Sequence, residues 1–208
     1  ELMNAGAVAQ LRAQIEEGNM ESIILEKAPK IAVYTPSSLC TPTGGCAPAN
    51  PWDDAVTLAL TYADIPYDKV WDPEVLQGRL KEYDWLHLHH EDFTGQYSKF
   101  YISYAGAQWL QEAVQRNDAV AKEFGKANVP ALKKAVAEEI RRYVAEGGFL
   151  FAMCTATETL ELALGAMNVD ISAPFSDGSP VDPDASRKMK WDRTMAFQNG
   201  EVQANPGV

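Results

Sequence analysis

Four short apolar runs, each followed by residues at helical spacing, constrain the fold of this chain more than any other feature. "KIAVYTP" ending at Pro36, "YDKVW", "DWLHLHH" and "FLFAM" read as buried strands. After the first, Asn50 and Pro51 supply a helix cap and first turn, with Asp53 and Asp54 where the helix dipole favours negative charge. Val56, Ala59, Leu60 and Ala63 continue that helix. Asp72-Pro73 opens a short helix carrying Val75, Leu76 and Leu80. Pro130 starts a longer one with Leu132, Val136, Ile140 and Val144 on one side, closed by Gly147-Gly148. Leu160, Ala163, Leu164 and Met167 mark the last. Such alternation predicts an α/β protein with a parallel sheet covered by helices. Ligands of such sheets bind beyond the carboxyl ends of the strands. That rule selects the loop after Tyr34, the end of "DWLHLHH", and Cys154.

Residues 91–128 interrupt the rhythm as an insertion, with the aromatic "DFTGQYSKFYISY" and a helix from about Gln108 to Phe124. Residues 1–27 read as an N-terminal helical segment ahead of a domain over 28–208. Beyond Asn168 the chain reads as loop, with "RTMAF" a further strand. The start at Glu1 and the abrupt end predict a piece of a longer protein, whose other segments are candidate partners.

Lys and Arg number 18 against 29 Asp and Glu, a net charge of −11 that repels phosphate backbones and argues against nucleic-acid binding. No apolar run reaches the length of a membrane span. Three cysteines are too few for a disulfide scaffold. Cys40 and Cys46 bracket "TPTGG", so a bridge between them would close a short loop and stabilise by about 2–3 kcal/mol. A bridge would indicate an exported, periplasmic protein, and two free thiols the cytoplasm.

Cys154 stands where the fourth apolar run meets the last helical stripe, in "GGFLFAMCTATETLELAL". A side chain on such a turn is held out at the rim of a sheet, and Ala152 and Ala156 let strand and helix crowd together. The first helix amides, Thr155 among them, would stabilise an oxyanion. A buried cysteine at a strand end is the structural alternative.

This strand–cysteine–helix element resembles the nucleophile elbow of the class I glutamine amidotransferase-like superfamily. With "PWDDAVTLALTYADIPYDKVWD" and "YDWLHLHHEDFTGQYSKFY" it is also similar to a family of bacterial proteins often labelled asparagine synthetase B, over most of residues 20 to 200. Nothing here corresponds to an ATP-pyrophosphatase synthetase domain. The resemblance implies a three-layer flavodoxin-like sheet and a cysteine that attacks a glutamine side-chain amide, aided by a downstream His-x-Glu pair. Two departures stand out: alanines replace the glycines that flank the elbow, and no histidine follows Cys154.

All three histidines lie in "HLHHED". On a strand His87 and His89 share a face, while His90 points with Leu86 and Leu88. His89 or His90, nearer the carboxyl end, could serve Cys154 as base, with Glu91 or Asp92 orienting the imidazole and Gln96 adding amide donors to a pocket wall. Imidazoles with a nearby carboxylate could instead hold zinc or iron, or the histidines could be structural. Three functional expectations follow. The first is a cysteine-dependent hydrolase or amidotransferase-like domain acting on a small amide substrate, without a cofactor. The others are an inert ligand-binding or interaction domain of the same fold, and a metal-dependent hydrolase.

Overall fold

The computed structural model describes residues 5–18, 28–35, 38–40, 46–48, 55–97 and 100–203. The expected cap over residues 50–54 lies outside them, as do the side chains of Cys40 and Cys46. The backbone of β2 (Ser38–Cys40) and β3 (Cys46–Pro48) pairs antiparallel with Cys40 opposite Cys46. Ahead of them, the N-terminal segment contains helix α1 (Ala5–Glu17).

β1 (Ile31–Tyr34), β4 (Tyr67–Val70), β5 (Trp85–Leu88) and β6 (Phe149–Ala152) form one parallel sheet in the order β4-β1-β5-β6. All four residues of β1 are buried, as a central strand with β-branched side chains requires. From β1 the chain passes through α2 (Ala55–Tyr62) outward to β4. It then returns through α3 (Asp72–Leu76) across β1 to β5, and through α4 (Phe100–Tyr104), α5 (Gln108–Glu123) and α6 (Val129–Ala145) to β6. α3, α5 and α6 lie together on the face of the sheet that presents Ala32, Leu86 and Leu88. α6 packs against α3 and α5, and against α7 (Thr155–Gly165).

The core lies on that face. Ala32, Tyr34, Val70, Leu86 and Leu88 from the strands meet Leu132, Val136 and Ile140 of α6 and Leu160, Ala163 and Leu164 of α7. α6 is well specified locally. The Asn128 side chain accepts the Ala131 amide at 2.9 Å, and Pro130 sits in the first turn. At the other end Gly147 takes φ 99°, so that its amide reaches the Val144 carbonyl and that of Gly148 reaches Tyr143. Along the other face of the sheet, Trp85 meets Phe149 edge-on at 5.7 Å and His87 stacks on Phe151 at 5.3 Å. β6 pairs with β5 alone among the described strands, and Phe149 and Phe151 are 56% and 45% exposed.

Three expectations are corrected. The first helix buries Thr57, while Ala59 and Ala63 face solvent. The region after Asn168 is not all loop, for it contains the one-turn helices α8 (Pro174–Asp177) and α9 (Ala185–Lys188). "RTMAF" is not a strand. The amides of Met195, Ala196 and Phe197 all donate to the buried carboxylate of Glu161 on α7, at 3.0 Å for the shortest contact of each. Amides gathered on one acceptor cannot also pair with a neighbouring strand. Among the described residues no helix is long and apolar enough to cross a membrane.

Candidate functional site

Two residues, Met153 and Cys154, connect β6 to α7. The Met153 amide extends the ladder to the Leu88 carbonyl (3.1 Å), and the Ala156 amide returns to that of His89 (3.2 Å). The chain must therefore turn within Cys154, and it does so with φ 56° and ψ −141°. An L-residue is held there at a cost of about 1–3 kcal/mol, which the surrounding contacts must offset. The Thr157 amide and hydroxyl, both donating to the Cys154 carbonyl at 3.2 and 2.6 Å, fix the turn. Ala156 is fully buried beneath it, which explains the small residue there. The thiol is exposed at the carboxyl edge of the sheet. Its one polar contact among the described residues is the Thr155 hydroxyl at 3.8 Å. The Thr155 amide opens α7, where backbone donors have no acceptor within the helix.

The histidines lie beside this elbow without pairing to its sulfur. His89 is 9% exposed and touches the turn through its carbonyl. His90 is exposed, with its ring centroid 3.5 Å from that of His89. His87 is 6% exposed on the aromatic ladder. Glu91 turns to Lys133, while its carbonyl accepts the Thr159 hydroxyl of α7 at 2.9 Å. The Asp92 carboxylate accepts the amide and hydroxyl of Thr94 at 2.9 and 2.5 Å. Gln96 bridges the Thr94 hydroxyl and the Ala173 amide, so its amide group ties two loops together. Among the described residues no three histidine, cysteine or carboxylate side chains gather as a metal-ligand group.

Sequence reasoning missed a buried ionic cluster at the carboxyl ends of β1, β4 and β5. Lys133 of α6 is 2% exposed and reaches Asp72 at 2.9 Å and Glu91 at 2.5 Å. The Tyr34 hydroxyl donates to Asp72 and stands 3.3 Å from the Lys133 ammonium. Burial opposes the charge on Lys133, but Asp72 and Glu91 outweigh it and hold the ammonium pKa above its ordinary value. Burial raises that of Glu91, with Lys133 opposing only in part. Burial, then the charge of Asp72, pushes the Tyr34 phenol well up, which keeps it a donor. One signal was available: Lys133 follows Leu132 and lies three residues before Val136, inside the buried stripe of α6.

Outside the cluster, between α5, α6 and the loop after β5, lies a cavity of about 190 Å³. Lys133 and Glu91 lie at its inner wall, and the rings of Trp71, Tyr97, Phe100 and Trp109 surround it. It opens past Phe100 and Trp109, which are about half exposed.

Fold and site together define an α/β protein with an all-parallel four-stranded sheet flanked by helices and a cysteine on a strained strand-to-helix turn. No family model, curated protein or solved structure matches the chain.

Proposed function

We propose that this chain is a cysteine-dependent hydrolase or amidotransferase-like domain of flavodoxin-like fold, with Cys154 as the nucleophile. The backbone of Cys154 carries the reading: an exposed thiol at φ 56°, at the carboxyl edge of a parallel sheet and the start of a helix. Strand order supports the fold. Counted along the chain, the parallel strands lie second, first, third, fourth, the order in which a flavodoxin-like sheet begins. In this scheme the Cys154 sulfur loses its proton to a base and attacks the carbonyl carbon of a small amide. The oxyanion faces the Thr155 amide, the carbon–nitrogen bond breaks, and the nitrogen leaves with the proton held by the base. Water then cleaves the thioester to a carboxylic acid and restores the thiol. His89, whose carbonyl accepts the Ala156 amide of the turn, and its neighbour His90 are the candidate bases.

A diazoketone analogue of glutamine tests this directly. Mass spectrometry should find one adduct on Cys154 and none in Cys154→Ser. Iodoacetamide should label Cys154 at pH 7 at least tenfold faster than a free peptide thiol, and either His89→Ala or His90→Ala should remove that advantage. Labelling at the peptide rate, unchanged in both variants, overturns the proposal. That outcome favours the second reading, an inert ligand-binding domain of the same fold, which is supported by the lack of an imidazole contact on Cys154 among the described residues.

A further inference from the structure

We propose that the cavity between α5, α6 and the loop after β5 binds a small hydrophobic α-amino or α-hydroxy acid, with Arg116 receiving its carboxylate. Polar atoms left unsatisfied around this space make the case. Arg116, Asn117 and Tyr97 all line it. Among the described residues, the Arg116 Nε, the Asn117 Oδ1 and the Tyr97 hydroxyl are buried without a hydrogen-bond partner. Asn117 is 7% exposed and spends its Nδ2 on the Ala113 carbonyl at 2.8 Å, which leaves Oδ1 as an acceptor with nothing to accept. A buried polar atom in that state is destabilising, and a single one would be an accident of packing. Three around one cavity are complementary to a ligand.

Their chemistry specifies the class. Arg116 forms no ion pair among the described residues, and its guanidinium lies 5.6 Å from the centre of the Trp71 ring. Burial lowers its pKa, so its charge is held at a cost that an anion would relieve. Glu91, the carboxylate at the inner wall, is already committed to Lys133 at 2.5 Å. A planar guanidinium prefers the two parallel bonds of a carboxylate. A phosphate dianion fits poorly, since one arginine must offset it beside Glu91 and Asp92, which also line the space. The vacant Asn117 Oδ1 asks for an N–H or O–H close to that carboxylate. Burial keeps the Tyr97 phenol protonated and therefore a donor to a ligand oxygen. The rings of Trp71, Phe100 and Trp109 supply an apolar wall, with Phe100 and Trp109 edge-to-face at 5.9 Å. The volume, roughly that of six waters, suits a small molecule and excludes a chain.

Calorimetric titration of the whole chain tests this with L-phenylalanine, L-phenyllactate, phenethylamine, 3-phenylpropionate and inorganic phosphate. Phenylalanine or phenyllactate should bind with Kd below 1 mM, roughly a 4 kcal/mol interaction or better. Whichever of the two binds more tightly identifies the donor as ammonium or hydroxyl. Phenethylamine, lacking the carboxylate, and phosphate should bind at least tenfold more weakly. Phenylpropionate, lacking the donor, should fall between. Arg116→Met should lose at least tenfold in affinity, and Arg116→Lys, which keeps charge without the fork, should lose part of it. Circular dichroism checks that both variants fold, and Asn117→Leu provides a separate arm by erasing the preference for phenyllactate or phenylalanine over phenylpropionate. No binding by either acid, or affinity unchanged in both Arg116 variants, overturns the proposal. The site does not depend on Cys154, so Cys154→Ser should bind these acids as wild type does, and failure of the nucleophile reading would leave this result standing.

Discussion

Lys133→Met should lower the unfolding free energy by about 3–5 kcal/mol, the largest stability loss expected of any single polar substitution here. The side chain fits the volume but removes the cation between Asp72 and Glu91, both of which it holds within 3 Å. The fully buried Asp72 carboxylate would then face the partly buried one of Glu91 with no cation between them. Against a total of about 5–15 kcal/mol for a typical domain, such a loss brings the protein near its unfolding threshold. The pH dependence has a definite sign. Burial already raises the Glu91 pKa above 4.5, and losing Lys133 would raise it further. A carboxyl that binds its proton more tightly when folded favours the folded state as pH falls through its folded value toward 4.5. The deficit of the variant should therefore shrink between pH 8 and pH 5, as urea unfolding at both values would show. In the wild type, Lys133 contributes stability fully below its ordinary 10.5, and this is lost as pH rises through its higher folded value. A loss below about 1 kcal/mol would mean that water reaches the cluster.

Gly95→Ala should cost about 2–4 kcal/mol, from two effects that can be separated. Gly95 takes φ 74°, where a Cβ alone costs about 1 kcal/mol. That Cβ would also stand 2.7 Å from the Pro130 nitrogen and 2.8 Å from its Cα. Those atoms are backbone in the first turn of α6, so no side-chain rotation relieves the clash. Gly125→Ala is the control: its φ is 64°, yet a Cβ there meets nothing within 4 Å. The excess cost at Gly95 over Gly125, measured by urea unfolding, isolates the contact between the loop and α6. Equal costs would show that the loop moves away freely.

The legible parts of the molecule were those written in local spacing. The strands at Ile31, Tyr67, Trp85 and Phe149 lie on the apolar runs that predicted them, α6 and α7 on their stripes, and α5 where a helix from about Gln108 to Phe124 was expected. The place of Cys154 on the strand-to-helix turn was legible because the change of period falls within two residues. Contacts that join distant segments were not legible. Lys133 meets Asp72 and Glu91 across 61 and 42 residues, and no short window contains that pairing. Arg116 and Asn117 carry no local signal, because only the folded loop after β5 closes a cavity over them. "RTMAF" was expected as a strand, but its backbone amides found an acceptor in Glu161, which is 34 or more residues away along the chain. In the first helix the stripe of small apolar residues was outweighed by Thr57, whose burial depends on how the helix sits on the sheet.

The outer edge of β6 bears on how the protein behaves in concentrated solution. A strand whose outer edge no described strand pairs, with two half-exposed phenylalanines, is a template for joining other chains edge to edge. The net charge of −11 works against this, because like-charged copies repel before their edges meet. Colloidal stability is therefore electrostatic in origin, and the salt of an ordinary buffer, which shortens the reach of that repulsion to about 8–10 Å, is what would release the strand edge to self-associate.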